Sequence, residues 1–437
     1  MKIYSVGYAL LRAVIKIPYR LFYRKIRIIG LENIPEDKPI ILAPNHQNAL
    51  MDPLIMIFSV PRQIVFLARG DVFKEGFITK FLTFIKIMPV YRQHDGMASL
   101  KKNDLIFDRS VDYLSDNGVF CLFPEAIHNP HRNLRPLKKG IPRIAFMAMK
   151  KSDFQLDIQI IPTGIYYENK NSSDSYLQVK YGEPISVKDY IEQIKENEQK
   201  AMSQLSLDMT PPMKSLIIDI EENQDYELVE DIRALYSDRL LKRFSLEIND
   251  ENRFRVDQSL VLYIKGVEFS ESLKFDIDEL SHQMQENKWT FRTIIEVLTT
   301  SVMLLKSIAF VLFLPIAIQG FILNIVPLAI SKYLRTKVIK DPQFISSINF
   351  ITGAFISPIY FILLSLISLL FVDYYYALLV LVLSPITAYL SYYYFKKLSI
   401  LKEQISFKFS QHRNKIDALK NKISEQLDVV FEDFELR

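Results

Sequence analysis

Apolar positions along the chain fall into three regimes. Between residues 26 and 190, short runs of aliphatic, β-branched and aromatic residues ("KIRIIG", "PIILAPN", "QIVFLARG", "MPVYR", "GVFCLFPE", "DIQIIPTGIYY", "LQVKYGEPI") are separated by turn residues and by segments of helical period. That alternation predicts an α/β domain. From Ser186 to about Asn287 the chain becomes charged and helical in period, and the prolines of "DMTPPMK" predict a break there. This stretch reads as a helical insertion. The third regime comprises Ser307 to Ile330, Gln343 to Val372 and Tyr374 to Phe395, none of which contains Asp, Glu, Lys or Arg. Each exceeds the roughly 20 residues that span a bilayer as a helix, so the chain is expected to be an integral membrane protein.

Both ends read as amphipathic helices. Near the N-terminus Arg12, Lys16, Arg20 and Arg24 recur every fourth residue beside Leu11, Ile15, Tyr19 and Phe22. The charges interrupt any secretory h-region and predict a helix lying in the membrane interface, the alternative being a surface helix with snorkelling side chains. Ile416, Leu419, Ile423, Leu427 and Val430 predict a C-terminal helix docked on the body. The organisation expected is an interfacial helix at 1–25, an α/β domain at 26–190, a charged helical region at 191–290, a membrane region at 291–398 and an amphipathic helix at 399–437.

Composition narrows the function. A net charge of +4 over 437 residues, without a basic-aromatic motif, argues against nucleic acid as a partner. The sole cysteine, Cys121, excludes an intramolecular disulfide and reads as a small buried hydrophobe. The histidines are scattered without a ligand spacing, so no metal is expected.

Four clusters could carry chemistry. In "IILAPNHQNALMDPLIM", residues 40 to 56, the polar Asn45, His46 and Asp52 interrupt a strand-to-helix turn. An imidazole can take a proton from an alcohol when a carboxylate holds its other nitrogen. Helical residues six apart point about 120° from one another, so such a pair requires His46 in the turn and Asp52 in the helix; helix capping is the alternative. Arg92, just past "MPVYR", could offer a donor fork to phosphate or simply pair at the surface. Glu125 follows an apolar strand, and Arg132, Arg135, Lys138 and Lys139 precede a helix opening near Pro142, which makes either an anion site or a solvated loop. "IIPTGIYYE", with Pro162, reads as a buried strand.

In this order the four blocks resemble the glycerolipid acyltransferase family, which transfers an acyl chain from a thioester to a glycerol hydroxyl. The resemblance covers residues 30 to 190, beginning with "GLENIPEDKPIILAPNH". It implies a mixed sheet flanked by helices, with His46 as general base and Asp52 orienting it. Arg92 and Glu125 would bind the phosphorylated glycerol, Lys138 and Lys139 would help to anchor its phosphate, Asn45 would join the substrate-binding set, and Pro162 would shape the acyl-donor side. No cofactor is implied; the co-substrate is a thioester of coenzyme A or acyl carrier protein, and the implied location is a membrane with the catalytic domain on its cytoplasmic face. Two departures stand out. His-x5-Asp replaces the commoner His-x4-Asp, which points to glycerol-3-phosphate or dihydroxyacetone phosphate ahead of lysophosphatidate. "FPEAIHNP" replaces Phe-Pro-Glu-Gly-Thr-Arg, so that His128, His131 or Arg132 would have to supply the missing cation. Other classes remain open: a transporter, with Pro315, Gln319, Asn324 and Pro327 breaking an apolar helix, or an inactive lipid-binding protein on the same fold.

Overall fold

A computed structural model of the chain describes residues 5–70, 73, 76–90, 106 and 108–436. These form two units: residues 1–218 with 339–350, and residues 219–338 with 351–437.

Each expected strand forms, and they join in one sheet. β1 (Lys25–Ile29), β2 (Ile40–Pro44), β3 (Ile64–Arg69), β4 (Ile87–Val90), β5 (Val119–Cys121), β6 (Gln159–Tyr167) and β7 (Tyr176–Tyr181) lie in the order β1-β7-β6-β2-β5-β3-β4, and β8 (Ile185–Ser186) pairs with β6. β2 is parallel to both β5 and β6, whereas β6 is antiparallel to β7, so the sheet is mixed as the resemblance implied. β2 and β5 are buried on both faces, which explains their unbroken apolar sequence. Alternation sends Ile41, Ala43, Val65 and Phe120 to one face. There they share a core with Leu114, Ile144, Phe146, Leu205 and Met213, carried by the helices over 108–115, Gly140–Lys151 and Ile191–Ser215. On the other face lie the helices Val6–Phe22 and Met51–Ser59, the latter tied to β7 by a 2.5 Å bond between the Ser59 and Tyr181 hydroxyls.

Two expectations are corrected here. The helix Ile191–Ser215 runs through Pro211 and Pro212, and its non-helical residue is Asn197, whose side chain accepts from Lys200 N as a new helix start would require. That helix packs into the sheet's core, within the unit formed by residues 1–218 and 339–350. The N-terminal helix forms, but Tyr8 and Tyr19 turn inward and Arg12 donates to the carbonyls of Val60 and Pro61. Its exposed apolar stripe is Val6, Leu10, Val14, Ile17 and Leu21, one position off the stripe expected.

The second unit contains the helices Tyr226–Arg243, Asp250–Ile264 and Glu271–Asn287, and the C-terminal helix Arg413–Val430, which docks on them by burying Ile416, Ile423 and Leu427. Among the described residues, three helices are long and apolar enough to cross a membrane: Thr300–Leu323, Pro342–Ser368 and Tyr374–Lys408. The first does not break at Pro315; it ends at Asn324 and is followed by a separate helix, Ile325–Tyr333. It runs antiparallel to the third, since Tyr394 bonds the Phe310 carbonyl and Ser391 the Ala317 carbonyl. The second is also antiparallel to the third, joined to it by a tight turn at 369–373, with Ser365 donating to the Ala377 carbonyl. First and second therefore run in the same direction, and the intervening chain must come back.

Candidate active site

The site is built at the C-terminal ends of β2, β5 and β6. β2 ends at Pro44, and Asn45 stitches it to β6: its side-chain nitrogen donates to the Ile165 carbonyl at 3.1 Å and its oxygen accepts from Ile165 N at 2.7 Å. His46 follows, in the turn as the spacing required. Asp52 sits one residue into Met51–Ser59 and is fully buried. The His46 Nδ1 and Asp52 Oδ2 atoms are 2.8 Å apart.

Asp52 organises more than the imidazole. Its Oδ2 also accepts from the backbone N–H groups of Gln47 and Asn48, both at 2.7 Å, while Oδ1 accepts from the Tyr167 hydroxyl at 2.6 Å. As a carboxylate Asp52 is acceptor-only, so donation from Nδ1–H fixes the tautomer and leaves Nε2 as the basic nitrogen. Burial, then the neighbouring Asp52 charge, push the Tyr167 phenol well above its ordinary pKa, which keeps it a donor. The His46 side chain is 12% exposed, so the imidazole is not sealed from solvent. Its ring stacks on Phe123 at 4.0 Å and meets His128 at 4.0 Å.

The loop after β5 grips the backbone of His46 from both sides. Glu125 Oε1 accepts from His46 N at 2.8 Å, and Asn129 N donates to the His46 carbonyl at 2.8 Å. Glu125 Oε2 accepts from Arg135 N at 3.0 Å, so both carboxyl oxygens hold backbone. Burial pushes the Glu125 carboxyl up to about 7, a rise opposed by those two N–H donors. Ala126, which stands where the resembling block has glycine, keeps a left-handed backbone with φ 63°, so the loop retains the conformation that glycine adopts most easily.

The remaining candidates are dispersed. Arg92 lies outside the described residues. Lys138 and Lys139 are exposed at the start of Gly140–Lys151. Arg132 donates to the carbonyls of Tyr167 and Glu168, each at 3.0 Å, which pins the loop to β6. Pro162 is buried within β6, paired with Ala43 of β2. Sequence reasoning missed Tyr167 and Asn129. Tyr167 ends a strand that reads as structural, and nothing local marks Asn129, since its partner is reached only through the fold.

Residues 25–166 match the family model Acyltransferase. That segment is similar to the Acyltransferase family. Over 231 residues it is 25% identical to glycerol-3-phosphate O-acyltransferase 2 of Saccharomyces cerevisiae, covering 51% of this chain and 31% of that protein. Over 174 residues it is 27% identical to 1-acyl-sn-glycerol-3-phosphate acyltransferase of Borreliella burgdorferi, covering 40% of this chain and 66% of that protein. The matched segments thus span less than two thirds of either relative. The crystal structure of the 1-acyl-sn-glycerophosphate acyltransferase of Thermotoga maritima aligns with 45% of this chain and 79% of that one, at 19% identity and a TM-score of 0.32.

Proposed function

We propose that this acyltransferase domain moves a fatty acyl chain from a thioester to a hydroxyl of a phosphorylated glycerol, with glycerol-3-phosphate or dihydroxyacetone phosphate preferred to lysophosphatidate, at the cytoplasmic face of a membrane. The observation that carries the reading is the His46–Asp52 pair, held at 2.8 Å on a strand-to-helix turn with the imidazole reachable from solvent.

His46 Nε2 takes the proton of the acceptor hydroxyl as its oxygen attacks the thioester carbonyl. The new O–C bond forms, a tetrahedral intermediate collapses, and the C–S bond breaks. The departing thiolate, of coenzyme A or acyl carrier protein, receives the proton back from the imidazolium. Asp52 stabilises that imidazolium and holds its orientation, with Tyr167 and the loop amides holding Asp52 in turn. Lys138 and Lys139, together with Arg92, are assigned to the acceptor's phosphate. Glu125 and Asn45, with their polar atoms on backbone partners, are assigned to positioning the turn; Pro162 remains the candidate for the acyl-donor side.

Purified membranes given labelled glycerol-3-phosphate and acyl-coenzyme A test the reading. His46→Ala and Asp52→Asn should each lower turnover by at least about 10²-fold, the usual share of general-base catalysis, without loss of folded protein. Undiminished acylation by the His46→Ala protein would remove the mechanism.

A further inference from the structure

A segment distant in sequence converges on the His46 turn. Residues 344–350 open the second apolar helix, Pro342–Ser368, yet they fold as part of the sheet-containing unit. The buried Ser347 hydroxyl accepts from Leu50 N at 3.1 Å, and Leu50 is the residue from which the Asp52 helix starts. Ser346, also buried, donates to the Lys170 carbonyl at 2.6 Å, and that same oxygen accepts from the Asn48 side chain at 2.7 Å. Phe344 packs its ring at 5.8 Å against His128, whose other neighbour is His46. Phe350 meets Tyr19 at 5.7 Å, and Tyr19 donates to the Met51 carbonyl at 3.0 Å. Four side chains of one short segment thus reach, directly or through one partner, four residues between His46 and Met51.

Packing alone would need only the two rings. The serines do something more particular: Ser347 satisfies the Leu50 N–H, which the turn's own sequence leaves over, and Ser346 shares the Lys170 carbonyl with the Asn48 side chain. Leu50 cannot cap its own helix, and "HQNALMD" offers no hydroxyl for the purpose. We propose that Ser347 is a positioning residue for the acyl transfer and that Ser346 and Phe344 assist it: the segment that opens the second apolar helix fixes the turn that aims His46 at its substrate. The proposal rests on the reading of His46 as the base. It also implies that the domain is incomplete without a piece of chain supplied from the membrane region of the sequence.

The test uses the full chain in lipid nanodiscs and two measurements. Hydrogen exchange of the peptide covering residues 46–52 reads the positioning without any chemistry: it should speed up severalfold in Ser347→Ala and return to the native rate in Ser347→Thr, which keeps the hydroxyl. Turnover with labelled glycerol-3-phosphate and acyl-coenzyme A reads the consequence. Ser347→Ala should lower kcat about tenfold or more while both KM values and the thermal midpoint stay near native, and Ser347→Thr should restore kcat; a displacement of a catalytic group by an ångström is enough for losses of this size. Unchanged exchange in Ser347→Ala overturns the proposal, as does full kcat, or a kcat lost only in step with the melting midpoint and not regained by threonine. Native exchange behaviour in a wild-type protein that acylates nothing would instead bring down the reading of the function, and with it any catalytic meaning of the segment.

Discussion

At Glu125, burial and hydrogen bonding pull in opposite directions. The carboxyl is buried and pushed up to about 7, so the folded protein holds a proton there that the unfolded chain releases in the ordinary carboxylate range. Its contribution to stability is therefore complete below about pH 4.5 and is lost as pH rises through about 7, a swing on the order of 3 kcal/mol. Glu125→Gln has no such proton to lose. Between pH 5 and 8 the thermal midpoint of the wild-type protein should fall relative to that of the Glu125→Gln protein, read by fluorimetry in detergent, and parallel curves would show that another group titrates. The same residue shows what a sequence conveys and what it withholds. "FPE" marks Glu125 as chemically interesting, but the amides of His46 and Arg135 from which its two oxygens accept are brought near only by the folded loop.

Among the elements, strands were legible because apolar runs bounded by turn residues leave few alternatives, and the requirement that His46 sit in a turn with Asp52 in a helix followed from helical geometry alone. Helix breaks were misplaced for a physical reason. Pro211, Pro212 and Pro315 lie inside continuous helices, while the interruptions come at Asn197 and Asn324. In both cases the side-chain amide competes with the helix for local backbone: Asn197 accepts from Lys200 N, and Asn324 donates to the Gly320 carbonyl at 2.7 Å. Helix packing adds a constraint that the apolar pattern did not disclose. A side chain at Gly320 would collide with the Thr387 carbonyl and lie 2.8 Å from Ser391 Cβ, on the facing helix, whereas Gly353 has open space around it. Close approach through small residues is how apolar helices bind one another in lipid. Gly320→Leu should therefore cost about 1–3 kcal/mol and lower the melting midpoint, with Gly353→Leu near neutral. Equal shifts for the two would mean that the helices do not depend on this crossing.

For the whole molecule, charge and helix direction agree on how the three apolar helices would lie in a membrane. The third apolar run ends at Phe395, followed by Lys396 and Lys397, so Tyr394 marks one interface and Asp373 lies beyond the other end. Phe310, bonded to Tyr394, sits at the same level in the first helix, which ends at Leu323. Thirteen residues at 1.5 Å each carry it only about 20 Å into a core about 30 Å thick. At Asn324 the helix stops, and because first and second helices run in the same direction the chain must return before the second begins at Pro342. The return passes through Lys332, Arg335, Lys337 and Lys340 to residues 339–350, which belong to the unit that contains the sheet and His46. Three full crossings would strand Lys340 on the far side from the unit it is folded with, against the preference of lysine and arginine for the cytoplasm. The expected topology is one re-entrant helix turning at Asn324 and two true spans. Single cysteines placed at Lys288, Lys340 and Phe371 in a Cys121→Ala background, labelled in intact cells with an impermeant thiol reagent, decide it: the first two should be shielded and the third modified. Modification at Lys340 with protection at Lys288 would overturn the re-entrant arrangement, because it would put the two ends of the first apolar stretch on opposite sides.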